Sequence, residues 1–170
     1  MSTTDTAAAS AAPRAADDAA RITDLVDDLF EAMEDGDWDR VPALLDDEIE
    51  VDHTSLTGGA PVRLTRAQLI ARWRAALHPG KTNAHVLGRC RVRVRGTYAT
   101  ARFSCHVLNA LEPALGGAEW EAWGRHTLTL RRDGGVWRVA GMDFATFHTR
   151  GDVRAYTHTA GSAAPERGDG

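Results

Sequence analysis

Residues 98–110 read YATARFSCHVLNA, in which Ala99, Ala101, Phe103, Cys105 and Val107 are apolar and Tyr98, Thr100, Arg102, Ser104 and His106 between them are not. Successive side chains of a strand point to opposite faces, so this alternation predicts a strand with one face on a core. The same period of two runs through Val86 to Val94, Glu119 to Arg132 and Val136 to about Phe147. Turn residues separate these runs at Arg95-Gly96, Glu112 to Gly117 and Asp133-Gly134-Gly135. Four long strands joined in this way predict an antiparallel meander.

Upstream of the meander the period is helical. Ile22, Leu25, Val26, Leu29, Phe30 and Met33 fall at i, i+3, i+4, i+7, i+8 and i+11, one face of an amphipathic helix. Asp17 or Asp18 is expected to cap its N-terminus, and Gly36 to end it. A short second helix is expected from Asp37 to Leu45, and Glu48 to Ser55 alternates as a strand until Gly58-Gly59-Ala60-Pro61 breaks it. Thr65 and Gln68 have capping-box spacing ahead of Leu69, Ile70, Trp73 and Leu77, which predicts a third helix ended by His78-Pro79-Gly80. Helices gathered first and a meander afterwards define an α+β domain: a strongly curved antiparallel sheet wrapped as a cone around three N-terminal helices, with a pocket inside.

A chain of 170 residues has room for one core, and 43% hydrophobic with 26% charged residues is an ordinary globular balance. The Ala/Ser/Thr-rich residues 1–17 and the Gly/Ala-rich residues 151–170 are expected to be flexible tails around a domain over 18–150. Within the second tail, Val153 to Tyr156 is the candidate for a lid over the pocket. A formal charge of −4 lacks the basic excess that nucleic-acid backbones require. No apolar stretch approaches the roughly 20 residues of a membrane span, and neither a basic start followed by an apolar run nor an Arg-rich amphipathic pattern opens the chain. Neither nucleic acid nor membrane is an expected partner, and the cytoplasm is the expected location. Cys90 and Cys105 are too few for a disulfide framework.

Four separated segments carry a resemblance: Gly36-Asp37-Trp38-Asp39, Val51-Asp52-His53-Thr54-Ser55-Leu56, Asn83-Ala84-His85-Val86-Leu87-Gly88, and Gly134-Gly135-Val136-Trp137-Arg138-Val139-Ala140. Together they resemble the SnoaL-like branch of the nuclear transport factor 2-like superfamily, over about Ala19 to His148. The resemblance implies a cone-shaped fold, usually dimeric through its sheet, whose pocket serves polyketide cyclases, dehydratases, isomerases and epoxide hydrolases as well as non-catalytic binders. Laid beside the scytalone dehydratase pattern, His85 falls on a catalytic histidine, Glu34 on its supporting carboxylate, His53 and Met33 on two tyrosines, and His126 on a pocket asparagine. The second catalytic histidine falls on Asn109. This departs from the dehydratase pattern, because an amide does not titrate near neutral pH.

Strand parity sorts these candidates. Asn109 is expected inward and His106 outward, unless a bulge exchanges the faces. His126 shares parity with Trp120, Ala122, Leu128 and Leu130, which makes it either a pocket residue or a hydrogen-bonded core histidine. His85 needs a bulge near Gly88 to face inward. Only one of Asp52 and His53 can point into the pocket, and the parity of Ile49 and Val51 favours His53. Glu34 is either a solvated last-turn residue or the carboxylate that orients a histidine. Asp52, Trp38, Trp120, Met33 and Phe103 complete the expected substrate-binding set, Asp52 as the alternative to His53 at the strand end and Trp120 and Trp123 at the rim.

No HxH, HxxxH or HExxH spacing, phosphate loop, nucleophile elbow or dinucleotide fingerprint occurs, so neither a metal nor a cofactor is expected. What remains is acid/base chemistry on a small, apolar, oxygenated metabolite such as a polyketide or terpenoid, of cyclase, dehydratase or isomerase type. In that reading His85 moves the proton, Glu34 orients it, His53 and His126 position substrate oxygens, and Asn109 donates to a developing oxyanion. The competing reading is a non-catalytic binder or assembly partner with the same pocket. A homodimer is expected through the outer sheet face of Arg91, Arg93, Tyr98, Thr100, Arg102 and His106.

Overall fold

The apolar stripe at 22–33 forms the buried side of helix α1 (Thr4–Asp35) in a computed structural model that describes residues 4–161. Gly36, at φ 67°, ends the helix in a Schellman arrangement, with Asp37 N–H donating to Ala32 O at 2.9 Å and Gly36 N–H to Met33 O at 3.4 Å. The start of α1 differs from expectation. The helix begins at Thr4, so the segment read as a tail is helical from that residue, and Asp18 is not a cap. Asp18 is instead buried against the sheet, where its carboxylate accepts from Arg132 Nη1 at 2.8 and 3.1 Å and from Trp137 Nε1 at 3.0 Å. The buried indole N–H of Trp137 needs an acceptor, and Asp18 supplies it while also pairing with the partly exposed guanidinium of Arg132.

The chain continues through α2 (Val41–Leu44), β1 (Leu45–Asp52), the single turn α3 (Thr54–Thr57), β2 (Val62–Thr65) and α4 (Arg66–Ala76). The capping box at α4 is formed: Gln68 N–H donates to Thr65 Oγ1 at 3.3 Å and Thr65 N–H to Gln68 Oε1 at 3.0 Å. The meander follows as β3 (Lys81–Leu87), β4 (Arg91–Arg95), β5 (Tyr98–Leu111), β6 (Ala118–Asp133) and β7 (Val136–Gly151), before the single turn α5 (Arg154–Thr157). The strand expected over Val86 to Val94 is therefore two strands, split at Gly88. Its N–H donates to Ser104 O at 2.8 Å, and a Cβ there would meet Ser104 Oγ at 2.2 Å.

The sheet has seven strands in the order β2-β1-β7-β6-β5-β3, with β4 also on β5. It is curved and unclosed, and the helices from the N-terminal half of the chain pack against it. It is not wholly antiparallel as expected: β1 runs parallel to β7. No hairpin joins these two strands, so no tight turn forces them to run in opposite directions. Register shifts opposite Trp123/Gly124 and Thr129/Leu130 give β7 an extra residue at each point, and such bulges bend a sheet. Ile22, Leu29, Leu128, Leu130 and Val139 lie fully buried between α1 and the sheet. Cys105, Trp120, Ala122, Phe144 and Ala155 form a second cluster toward α5.

The residues after 150 also depart from expectation. β7 runs to Gly151, Ala155 has no exposed surface, and Ala160 N–H donates to Ala75 O at 2.7 Å. Residues 151–161 are thus a packed strap, and the remainder of the expected tail lies outside the described residues. Among the described residues no helix is long and apolar enough to cross a membrane.

Asp18→Ala strips the buried Trp137 indole and the partly exposed Arg132 guanidinium of their acceptor at once and should lower the unfolding free energy by about 2 kcal/mol. Urea denaturation of the variant beside the native chain measures the loss. An unchanged midpoint would mean that water replaces the carboxylate.

Candidate active site

β3 lies along one wall of a cavity of about 300 Å³ and turns Lys81, Asn83 and His85 toward it at every second position. Across the sheet, Asn83 pairs with Asn109, His85 with Val107 and Asn109 with Trp120, so the inward parity passes from β3 through β5 to β6. α1 contributes Phe30 and Met33, α4 contributes Trp73, and the strap covers one end with Tyr156. The remaining wall is largely apolar, with Val51, Leu56, Leu64, Leu69, Met142 and Phe144.

The last turn of α1 meets β3 through one carboxylate. Glu34 Oε1 stands 3.0 Å from His85 Nδ1 and also accepts the His85 backbone N–H. Burial pushes Glu34 up, but the hydrogen bonds from the His85 ring and backbone outweigh it and hold the carboxyl below its usual range. An ionised Glu34 accepts only, so Nδ1 is the ring nitrogen that donates to it and Nε2 is the one left to face the cavity. The break at Gly88 makes this possible. It absorbs the change of register that His85 requires to share the inward face with Asn109.

His53, Met33, Asn109, Trp120 and His126 all line the cavity as expected. His126 is only 5% exposed and lies between the rings of Phe103 and Phe144, at centroid distances of 5.3 and 4.5 Å. Its Nδ1 and His53 Nε2 are buried without a hydrogen-bond partner among the described residues. Burial first, and then the charges of His53 and His85, pull His126 down to about 3, and burial also lowers His53. Both rings are therefore neutral at physiological pH, with a free ring nitrogen each.

Three expected substrate contacts are corrected. Asp52 points away from the cavity and accepts from Thr54 N–H at 3.0 Å and Thr54 Oγ1 at 2.7 Å, which locks the turn into α3. Strand parity left one inward place for the pair, and His53 holds it. Phe103 is core, 2% exposed behind His126, and does not line the cavity. Trp38 packs on the outer side of the α1 terminus, in an adjoining groove with Glu34 and His78 that meets the cavity at Leu77, Lys81 and Asn83. At the expected rim, Trp120 is buried beneath the strap and meets Tyr156 in a tilted ring contact at 4.7 Å, whereas Trp123 is on the other sheet face, stacked on His106 at 4.4 Å. His106 is outward as expected, 3.2 Å from Glu121.

The sequence reading missed Lys81 and Asn83, whereas Tyr156 belongs to the segment expected as a lid and does line the cavity. Lys81 and Asn83 share parity with His85 four and two residues away, and that signal was present in the sequence. Among the described residues no three His, Cys, Asp or Glu side chains converge as metal ligands would.

A profile of the SnoaL-like domain matches residues 14–143, and the chain belongs to this family, within the nuclear transport factor 2-like superfamily. No curated protein sequence matches the chain. Among solved structures it is similar to the Kfla4162 protein of Kribbella flavida, at 18% identity and a TM-score of 0.72 over 77% of this chain and 91% of that one. It is similar to the hexachlorocyclohexane dehydrochlorinase LinA-type3 of Novosphingobium barchaimii, at 16% identity and a TM-score of 0.65 over 78% and 88%. A scytalone dehydratase-like protein of Novosphingobium aromaticivorans gives 15% and 0.62 over 76% and 84%. At these identities the likeness is one of fold.

The neutral histidines make stability depend on acidity. A ring whose folded pKa lies below its unfolded value stays uncharged in the fold while the unfolded chain takes up a proton, so stability falls as pH drops through 6.5 toward 3. His126 alone should cost about 2 kcal/mol between pH 7 and pH 5. Urea midpoints at the two pH values should show this loss, and His126→Phe should reduce it. An equal loss in the variant would assign the acid sensitivity to other groups.

Proposed function

We propose that the protein is a cofactor-independent acid/base enzyme of the cyclase, dehydratase or isomerase type, acting on a small, largely apolar, oxygenated metabolite. The observation that carries this reading is the Glu34–His85 pair at the wall of a largely apolar cavity that also holds two neutral imidazoles, each with one buried ring nitrogen unpartnered among the described residues. Glu34 fixes the His85 tautomer, so Nε2 takes a proton from a carbon beside a substrate carbonyl, and the carboxylate stabilises the imidazolium that forms. Asn109, 4% exposed, donates to the oxygen on which charge develops. The imidazolium then returns its proton, either to carbon, which isomerises the substrate, or to a departing hydroxyl, which leaves as water. His53 and His126 hold further substrate oxygens. The apolar walls exclude bulk water that would compete for the proton.

Proton exchange tests this while the native substrate is still unidentified. A panel of small cyclic β-hydroxy ketones in deuterium oxide, followed by NMR, should show protein-dependent exchange at the carbon beside the carbonyl. His85→Asn should reduce exchange by about two to four orders of magnitude, and Glu34→Gln by about one to two. His106→Asn, on the opposite sheet face, should leave it unchanged. Exchange that persists in His85→Asn sinks the assignment, and absence of exchange across the panel favours the non-catalytic binder.

We propose further that a second copy covers the outer sheet face, where Val86 and Tyr98 are about two-thirds exposed. That face also carries Arg91, Arg93, Arg102 and Arg125, none with a carboxylate within 4 Å among the described residues. Guanidinium groups from two copies repel, so association should strengthen as salt screens them. Sedimentation showing only an 18.4 kDa species at micromolar concentration and every ionic strength would exclude this dimer.

A further inference from the structure

The end of the cavity opposite His85 holds a buried cation without a counter-ion. Lys81 is 5% exposed and lines the cavity wall. Its ammonium donates to the carbonyls of Tyr156 at 3.0 Å and His158 at 3.2 Å. No carboxylate lies within 4 Å of it among the described residues. An ammonium has three donors, so one N–H and the full charge remain to be answered. Burial pulls Lys81 down to about 8, which leaves it mostly protonated at neutral pH. A charge removed from water without an opposite charge costs stability, and folded chains pair such groups or keep them for a ligand.

Asn83 adds a second feature to the same pole. Its Nδ2 donates to the Lys81 carbonyl at 3.0 Å, which fixes the orientation of the amide and leaves Oδ1 as the free end. That Oδ1 is buried with no partner among the described residues. It can only accept, so the group that completes it must carry a hydrogen-bond donor. Lys81 and His85 are four residues apart on one strand, about 13 Å between Cα atoms at roughly 3.3 Å per residue, with Asn83 midway.

We propose that Lys81 and Asn83 form a recognition pole for a carboxylate and an adjacent hydroxyl, so that the substrate is an apolar hydroxycarboxylic acid with its acid group at Lys81 and its reacting carbon near His85. The ammonium meets the carboxylate, Asn83 Oδ1 accepts from the hydroxyl, and the apolar walls take the carbon skeleton. This deepens the catalytic reading and rests on the cavity being a substrate site. A latch holding the strap would need only N–H donors for two carbonyls, whereas recognition of a carboxylate needs the positive charge. That difference separates the two roles.

The test uses 2-hydroxy-4-phenylbutanoate and its carboxamide as probes, titrated calorimetrically into the full chain. The acid should bind about tenfold or more tightly than the amide. Lys81→Gln keeps N–H donors and removes the charge, and should abolish the preference, whereas Lys81→Arg should retain it. 4-Phenylbutanoate, which lacks the hydroxyl, should bind about threefold to tenfold more weakly than the hydroxy acid, and Asn83→Leu should erase that difference. Equal binding of acid and amide to the native chain, no binding of either at millimolar concentration, or a preference that survives Lys81→Gln would overturn the proposal. The His85→Asn variant keeps the two readings apart. It should retain the acid preference, and loss of the preference there would move anion recognition to His85. A native chain that prefers the acid but catalyses no proton exchange would be a hydroxy-acid binder.

Discussion

The pairing of β5 with β6, fourteen residues in unbroken register from Tyr98↔Arg131 to Leu111↔Ala118, is the constraint on which the rest of the molecule depends. The side-chain period of a strand is two, so this one register decides both faces of both strands together. Asn109, Trp120 and His126 face the cavity only because Arg102, His106, Arg125 and Thr127 face away. A slip of one residue would drive two arginines into the core and expel the polar groups that the site uses. The price of burying an unpaired guanidinium is several kcal/mol, which is why no such slip competes. His126 and His106 show how completely register assigns chemistry. One is a neutral ring boxed between phenyl groups, and the other is a half-exposed ring stacked on Trp123 beside Glu121.

Those features were legible in the sequence because they follow from alternation. Helical spacing likewise placed the buried side of α1, the Thr65–Gln68 spacing placed the start of α4, and Gly36 placed the end of α1. What alternation could not supply was any contact between distant segments. Glu34 and His85 are 51 residues apart, and their pairing entered as an implication of the family resemblance. Asp18 read as a cap because an aspartate before an apolar run is the usual signal of a helix start. Its real partners, Arg132 and Trp137, lie more than a hundred residues onward. The parallel pairing of β1 with β7 is invisible for the same reason.

Lys81 was overlooked on different grounds. It follows Pro79-Gly80, which reads as the end of a turn, and lysine is rarely found buried without a partner. Two backbone carbonyls from the strap are what hold it, and a carbonyl has no signature in sequence. Asp52 and Trp38 were misplaced because their types suit a binding site while their positions do not. Asp52 stabilises a turn with the Asx geometry that favours aspartate there, and Trp38 packs outside the cavity at the end of α1.

The strap is fastened by main-chain atoms: the carbonyls of Tyr156 and His158 receive Lys81, and the amide of Ala160 reaches the carbonyl of Ala75. Every amino acid brings that carbonyl, and all but proline bring the amide. Substitution of Tyr156, the strap residue that lines the cavity, can therefore reshape the roof while these main-chain bonds stay in place, whereas Ala155 is buried and the His158 ring lies 2.9 Å from that of His78. Relatives that share this fastening are free to diversify there, so the strap is where chains with the same Glu34–His85 pair can differ in the shape of the cavity they enclose.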